Sequence, residues 1–167
     1  YNCYLDFCPA DLHYIVLIKI HNTNRPGQLF MPLTSTEKQI KSLLKESTTI
    51  AVVGMSPKSR RPSNYVANYL IAQGYTVIPV NPGHDEILGL TCYPELRAIP
   101  VAVDIVDIFR KSSEVGAIVG QAVGMGAKAV WMQQGIVSEV AAKRAMDAGL
   151  YVVMDRCIKV EHSRLIS

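Results

Sequence analysis

A short loop after the first apolar run of the sequence carries the residues best suited to hold an anionic ligand. The loop begins at Gly54, includes Ser56, and contains the cations Lys58, Arg60 and Arg61. Glycine lets a backbone approach a ligand closely, and the amides at the start of a following helix attract phosphate oxygens. The hydroxyl and the three cations add donors and positive charge. We therefore predict a phosphate-binding loop, against the alternative of an ordinary solvated basic loop.

The same loop lacks the complete glycine pattern of NAD enzymes. Of the G-x-G-x-x-G fingerprint only the first glycine, Gly54, is present. The second apolar run ends in Val80-Asn81-Pro82, at the place where an NAD enzyme usually carries an acidic residue for the ribose hydroxyls. The basic loop instead suits a nucleotide with an additional phosphate near its ribose. Coenzyme A (CoA) and NADP both meet that description, and both stay open on these residues.

Three further segments could contact the rest of such a ligand. Phe109 ends the third apolar run and Arg110 follows it, as ligand contacts or as a core phenylalanine beside a surface arginine. Gln133 and Gly135 follow the fourth, where an amide and a space for a ligand are the functional interpretation and a plain turn is the alternative. Cys157 follows the fifth, and its thiol could meet the ligand's reactive end or be a small buried apolar residue.

Composition excludes several other classes of function. The 167 residues carry 17 basic and 14 acidic side chains, and a net charge of +3 is too small to indicate nucleic acid or a membrane surface as partner. The cysteines show no CxxC pair and no metal-ligand spacing with histidine, so we expect no metal site and reduced thiols in a cytoplasmic protein. They are Cys3, Cys8, Cys92 and Cys157. The apolar run 14–18 is too short to span a bilayer, which needs about 20 residues.

Five apolar runs rich in β-branched residues predict buried strands, with helical patterns between them. The runs are 49–53, 75–80, 102–109, 128–132 and 150–154. A capping box beginning at Thr34 predicts the start of the first helix. The alternation predicts an α/β fold with a doubly wound, five-stranded parallel sheet in the order 3-2-1-4-5. Its ligand crevice is then expected at the carboxyl ends of the strands, between the first and the fourth.

The first 33 residues differ from this regular pattern. They hold two of the cysteines, a lone apolar run and a turn-like stretch at 22–27. We interpret 1–33 as an N-terminal extension of uncertain structure, with an added edge strand at 14–20 as the alternative. Residues 34–167 form the predicted ligand-binding domain.

The segments that follow the strands together resemble the small, stand-alone family of CoA-binding proteins from bacteria and archaea. That family is related to the CoA-binding domain of the succinyl-CoA synthetase α subunit. The matching stretches are 50–56, 77–82, 106–110, 128–133 and 154–157. They occur in the right order over about residues 34–166, so the resemblance is specific although any one stretch would be weak.

The resemblance implies a Rossmann-like CoA-binding domain with an extended ligand. Adenine would pack against Val80-Asn81-Pro82, and phosphates would sit on the Gly54-Met55-Ser56 loop within reach of its cations. The pantetheine arm would run past Phe109-Arg110 toward Gln133 and Gly135. The synthetase's later domain, which carries its phosphorylated histidine, has no counterpart here.

The expected function is therefore binding of CoA or acyl-CoA without catalytic residues of its own. One alternative is an NADP-dependent oxidoreductase. Another is a CoA-binding subunit of an acyl-CoA synthetase or ligase complex, whose protein partner the sequence does not identify.

Overall fold

The computed structural model describes residues 34–166, which contain five α-helices and seven strands. In chain order these elements are α1 (Glu37–Glu46), β1 (Thr49–Val53), α2 (Pro62–Ala72), β2 (Thr76–Val80), β3 (Glu86–Ile87), β4 (Leu90–Thr91), a 3-10 turn (Leu96–Ala98), β5 (Ile105–Ile108), α3 (Ser112–Gly124), β6 (Ala129–Met132), α4 (Glu139–Asp147), β7 (Tyr151–Val153) and α5 (Ile158–Leu165). The extension predicted at 1–33, with its alternative strand at 14–20, lies outside the described residues.

Five of the strands form one parallel sheet with helices on both faces. The order is β2-β1-β5-β6-β7, and β3 pairs with β4 in a separate antiparallel hairpin. Helices α1, α2 and α5 pack on one face, and α3 and α4 pack on the other. Because both faces are covered, the strands are buried almost throughout, which explains their continuous apolar runs. The predicted α/β class and five-stranded, doubly wound parallel sheet are confirmed.

The third position of the predicted 3-2-1-4-5 order is filled by a different segment from the one expected. The run 102–109, as β5, lies between β1 and β6, on the side of β1 opposite β2. The place outside β2 is taken by a single parallel bridge between Val80 and Tyr93. If this bridge at Tyr93 is counted as the third strand in chain order, the sheet has the expected 3-2-1-4-5 order with one more strand, β7, at the far edge. Apolar patterning shows that a strand is buried but not which strand lies beside it, so the assignment of 102–109 to the edge was wrong.

The capping box of α1 lies two residues later than predicted. Its cap is Thr36, whose amide donates to Gln39 Oε1 at 2.8 Å while its hydroxyl accepts from the Gln39 amide. Thr34 and Ser35 instead bond to Val152 on the outer strand β7; for example, the Val152 amide donates to Ser35 Oγ at 3.1 Å. These two residues cover part of an exposed strand edge and are therefore not available to cap the helix.

Candidate functional site

Gly54 contacts the carboxyl ends of both strands that neighbour its own strand β1, namely β2 and β5. It directly follows β1 with a φ of +83°, and its amide donates to the Val80 carbonyl of β2 at 2.8 Å. A β-carbon built at this position would lie 2.7 Å from Arg110 Cδ and 2.8 Å from the Phe109 carbonyl oxygen, just beyond β5. Both the left-handed backbone and the close approach therefore require glycine here.

The backbone of the following loop is held by side chains from two other elements. The Ser56 amide donates to Ser63 Oγ at 3.0 Å, and Asn64 Nδ2 donates to the Ser56 carbonyl at 2.9 Å. Asn81 Nδ2 donates to the Met55 carbonyl at 2.8 Å. The Met55 side chain is fully buried, so this residue anchors the loop from inside. The sequence reasoning missed Ser63 and Asn64, although two polar residues directly after the helix-starting Pro62 were a usable signal.

The loop's three cations surround the start of α2 and are not neutralised within the described chain. Lys58, Arg60 and Arg61 are exposed, and none of them makes an ion pair with a residue in the range 34–166. Arg61 occupies the N-cap of α2 without a side-chain cap, and the first turn of that helix has no acidic residue. An uncapped helix start beside uncompensated cations is electrostatically suited to an anion.

A cleft of about 280 Å³ opens next to this loop, on the α3 side of the sheet. Its lining includes the predicted residues Gly54, Val80, Pro82 and Arg110. The opposite walls come from Pro94–Leu96 and from α3, and the Leu96 amide is fixed by Gln121 Oε1 at 3.1 Å. The lining of the cleft is mainly apolar with polar groups among it, which suits a ring system bordered by hydrogen-bonding atoms.

Phe109 and Arg110, which directly follow β5, lie on opposite faces of the sheet. Arg110 lines the cleft and forms a two-pronged ion pair with Glu114, with Nη2 3.1 Å from Oε1. Phe109 is half-buried and packs with the apolar residues on the α1, α2 and α5 face. The structure therefore brings Arg110 to the cleft, whereas Phe109 contributes to the core of the opposite face.

Gln133 is turned inward onto an acidic residue that the sequence reasoning did not select. Its Nε2 donates to Asp107 Oδ1 at 2.8 Å, and both side chains are buried. Asp107 Oδ2 has no partner among the described residues. Burial raises the pKa of Asp107 to about 7, although the Gln133 side chain and the Ile108 amide act to lower it. Asp107 escaped selection because it lies inside a strand-like run and not after it.

The turns after β6 and β7 are joined by hydrogen bonds. The Gly135 amide donates to Asp155 Oδ1 at 2.6 Å, and both residues have positive φ angles. Trp131 Nε1 donates to the Arg156 carbonyl at 2.7 Å, immediately before Cys157. Cys157 is half-buried at the N-cap of α5, packed with the apolar residues of the Phe109 face. The Gly135 amide therefore fixes a turn, and the Cys157 thiol is partly accessible beside β6.

Comparison with known proteins identifies the family. Residues 48–163 match the family model described as a CoA binding domain. This chain belongs to the CoA binding domain family. The resemblance drawn from the strand-end segments is thereby confirmed. Across the described residues no group of three or more histidine, cysteine, aspartate or glutamate side chains could hold a metal ion, and no helix is both long and apolar enough to cross a membrane.

This chain is similar to two small proteins over almost their whole length. The uncharacterized protein YneT of Bacillus subtilis is 38% identical over 128 residues, which cover 77% of this chain and 95% of that protein. A solved structure of a hypothetical protein from Pyrococcus horikoshii is 40% identical with a TM-score of 0.78, covering 84% of this chain and 99% of that one.

The CoA binding domain also matches a small part of larger enzymes. The dinucleotide forming acetyl-coenzyme A synthetase 1 of Ca. Korarchaeum cryptofilum is 28% identical with a TM-score of 0.58, over 65% of this chain and 26% of that one. Acetate--CoA ligase [ADP-forming] I of Archaeoglobus fulgidus is 41% identical over 56 residues, which are 34% of this chain and 8% of the ligase.

Proposed function

We propose that this protein binds CoA, or an acyl-CoA, across the carboxyl ends of β1, β2, β5 and β6, without carrying out a reaction of its own. The observation that carries the proposal is the family match over residues 48–163, which includes every strand of the sheet and the loop after Gly54. The residues around that crevice offer partners for the adenosine, the phosphates and the pantetheine arm of CoA.

The cleft beside Gly54 suits the adenine ring. Val80, Pro82 and Ile118 supply apolar walls, and Glu95 with Gln121 supplies polar atoms at the border. A planar base buries its faces on apolar side chains and uses its edge nitrogens for hydrogen bonds. In the proposed complex, Val80-Asn81-Pro82 holds the adenosine, with Asn81 acting through its bond to the Met55 carbonyl.

The loop 54–61 suits the phosphates of CoA. The nucleotide carries a 5′-diphosphate and a 3′-phosphate, so a complementary site needs several donors and cations. The uncapped start of α2 and the side chains of Ser56, Lys58, Arg60 and Arg61 supply them. Arg110 is half-exposed at the cleft and reaches a phosphate by exchanging its Glu114 partner for the ligand.

The pantetheine arm is proposed to extend toward β6 and β7. Its two amide groups need hydrogen-bond partners, which Gln133 supplies through the side of its amide that does not face Asp107. The turn at Gly135 leaves open space, since a β-carbon there would have no neighbour within 4 Å. Cys157 lies past this turn and is the proposed neighbour of the CoA thiol.

A second candidate is a CoA-binding subunit that serves a separate catalytic chain. It is favoured by the match to the acetyl-CoA synthetase, in which the similar region is 26% of the chain. In that arrangement the present protein holds the thiol substrate while another polypeptide activates the acyl group. Co-purification with a tagged copy of this chain, followed by a CoA ligase assay, distinguishes this candidate from the stand-alone binder.

Thermal shift with four ligands tests the main proposal. A ligand that binds only the folded state raises Tm, so CoA and adenosine 3′,5′-bisphosphate are expected to raise it, and NAD is not. A rise with NADP but none with CoA would overturn the proposal in favour of an NADP-dependent oxidoreductase.

The contribution of the loop cations is tested by charge-neutralising variants. Arg60→Gln with Arg61→Gln is expected to weaken CoA binding about tenfold or more and to reduce its salt dependence. The matched control is Lys38→Gln with Lys41→Gln, which removes the same charge from exposed positions on α1. Equal effects from the two double variants would mean that the loop cations do not contact phosphate.

A further inference from the structure

Asp107 and Gln133 form a polar pair inside an otherwise apolar layer. Asp107 lies on β5 in register with Val52 of β1 and Trp131 of β6, and its side chain is 0% exposed. Gln133 directly follows β6 and is 4% exposed. Buried polar atoms are normally all paired, because an unpaired one loses its hydration without compensation. This pair departs from that rule at one carboxylate oxygen.

The amide of Gln133 uses only its nitrogen in this pair. Nε2 donates to Asp107 Oδ1, while no group of the described chain donates to Oε1. The fully enclosed side-chain oxygens without a partner in the range 34–166 are Ser47 Oγ and Asp107 Oδ2. Gln133 Oε1 is not one of them, and the residue directly follows β6 at the carboxyl edge of the sheet, where it is 4% exposed. Because Nε2 is committed to Asp107, the carbonyl is the part of the amide that is left to contact a ligand.

We infer that Asp107 is a positioning residue that determines whether Gln133 presents its carbonyl or its NH₂ group to the bound ligand. The inference rests on the proposed function, because the ligand group concerned is an amide of the CoA pantetheine arm. An ionised carboxylate can only accept hydrogen bonds. It therefore holds the Gln133 NH₂ group inward and leaves the carbonyl outward, where it accepts a ligand N–H.

Protonation of Asp107 removes this constraint. A neutral carboxyl group carries an O–H that would be a buried, unpaired donor in the present arrangement. If the Gln133 amide rotates by half a turn, its carbonyl oxygen accepts that O–H, and its NH₂ group faces outward. A ligand N–H then meets a donor in place of an acceptor and loses its hydrogen bond. The two protonation states thus present opposite ends of one amide.

The change falls in an accessible pH range, because burial places the pKa of Asp107 near 7. Other titratable or charged groups belong to the elements packed on the α1, α2 and α5 face of the sheet, where the register partners of Asp107 also lie. They are Tyr75 before β2, Cys92 after β4, Asp155, Arg156 and Cys157 after β7, Lys159, Glu161, His162 and Arg164 on α5, Tyr65 and Tyr69 on α2, and Glu37, Lys38, Lys41, Lys45 and Glu46 on α1. Any pH effect from these groups persists when Asp107 alone is replaced, which isolates its contribution.

The test compares CoA with the methyl ester of adenosine 3′-phosphate 5′-diphosphate by calorimetry between about pH 6 and about pH 8.5. This ester lacks pantetheine but shares both the titrating 3′-phosphate of CoA and its bridging diphosphate, which does not titrate in this range, so the ratio of the two Kd values reports on the arm. For the unaltered protein, CoA is expected to lose about three- to tenfold in affinity relative to the ester at the lower pH, the equivalent of one hydrogen bond. In Asp107→Asn, whose amide can accept or donate at any pH, the ratio is expected to be constant.

Two results would overturn the inference. One is a ratio that is independent of pH in the unaltered protein, a measurement that needs no variant to fold. The other is an unchanged pH dependence in Asp107→Asn with circular dichroism like that of the parent. Both leave the proposed function intact, since CoA still binds. Failure of both nucleotides to bind would instead remove the proposed function.

Discussion

The side chain of Arg110 lies directly over Gly54, so that the ends of β1 and β5 are in contact through a residue without a β-carbon. The guanidinium group beyond this crossing is paired with Glu114 at the cleft. This relationship places a cation where the loop of β1 and the cleft meet. It also leaves no room for an added atom at position 54.

Gly54→Ala is expected to destabilise the fold and to weaken CoA binding together. The variant adds a methyl group to a residue with positive φ and forces it against the Phe109 carbonyl and Arg110. We expect a loss of about 2–4 kcal/mol in the free energy of unfolding, measured by urea titration. Gly149→Ala is the matched control, because its φ is +85° and no atom lies within 4 Å of the added carbon. If both variants lose the same free energy of unfolding, the close contacts with Arg110 and the Phe109 carbonyl do not contribute to the loss.

Cys157 is expected to form a mixed disulfide with CoA in preference to Cys92. With CoA disulfide as oxidant, the Cys157 thiolate attacks one sulfur, a bond between Cys157 and one CoA forms, the original S–S bond breaks, and the other CoA leaves as thiolate. Cys157 is half-buried, whereas Cys92 is buried, and burial raises the pKa of the Cys92 thiol. Intact mass of Cys157→Ser and Cys92→Ser, both in a background without Cys3 and Cys8, measures the preference. Adduct formation that survives Cys157→Ser would refute the assignment.

His162 is expected to lower stability in mild acid, against an opposite contribution from Asp107, whose raised pKa adds stability as pH falls through about 7. His162 is buried between Tyr69 and Tyr75, with Nδ1 3.0 Å from Tyr69 Oη, and burial lowers the pKa of its imidazole. At His162 the folded protein then binds fewer protons than the unfolded chain, so the free energy of unfolding decreases as pH falls through the unfolded value of about 6.5. Urea titrations between about pH 5 and about pH 8 in an Asp107→Asn background remove the opposing contribution and measure the slope that His162 produces.

Two histidine variants assign the slope to its residue. His162→Gln is expected to flatten the dependence while costing about 1–3 kcal/mol at neutral pH through the lost partner of Tyr69. His84→Gln, at an exposed loop position, is expected to leave the slope unchanged. If His84→Gln, and not His162→Gln, removes the pH dependence of the free energy of unfolding, the role given to His162 is wrong.

Part of the candidate site could be predicted because the fold class brings the ends of the strands to one edge of the sheet. Gly54, Val80, Pro82 and Arg110 lie at or just after the ends of strands, and the structure gathers all four around one cleft. The side on which Phe109 packs could not be predicted in the same way, because adjacent residues after a strand point to opposite faces and only the packing shows which face holds the cleft. Whether the cations after Gly54 contact phosphate remains a prediction.

The amino-acid sequence alone was enough to identify the buried strands, the loops that follow them and the family, because these are properties of short, contiguous patterns. The remaining features follow from how the segments pack in three dimensions. This packing placed Tyr93 outside β2, moved the cap of α1 to Thr36, and paired Gln133 with Asp107 across two neighbouring strands. The pairing of Gln133 with Asp107 and the bridge at Tyr93 depend on hydrogen bonds between residues that are distant along the chain. The cap of α1 depends on Thr34 and Ser35 bonding to Val152, which leaves Thr36 as the cap. A local sequence pattern does not predict these hydrogen bonds, because the same residues could pair with other partners and only the packing shows which partner lies within reach.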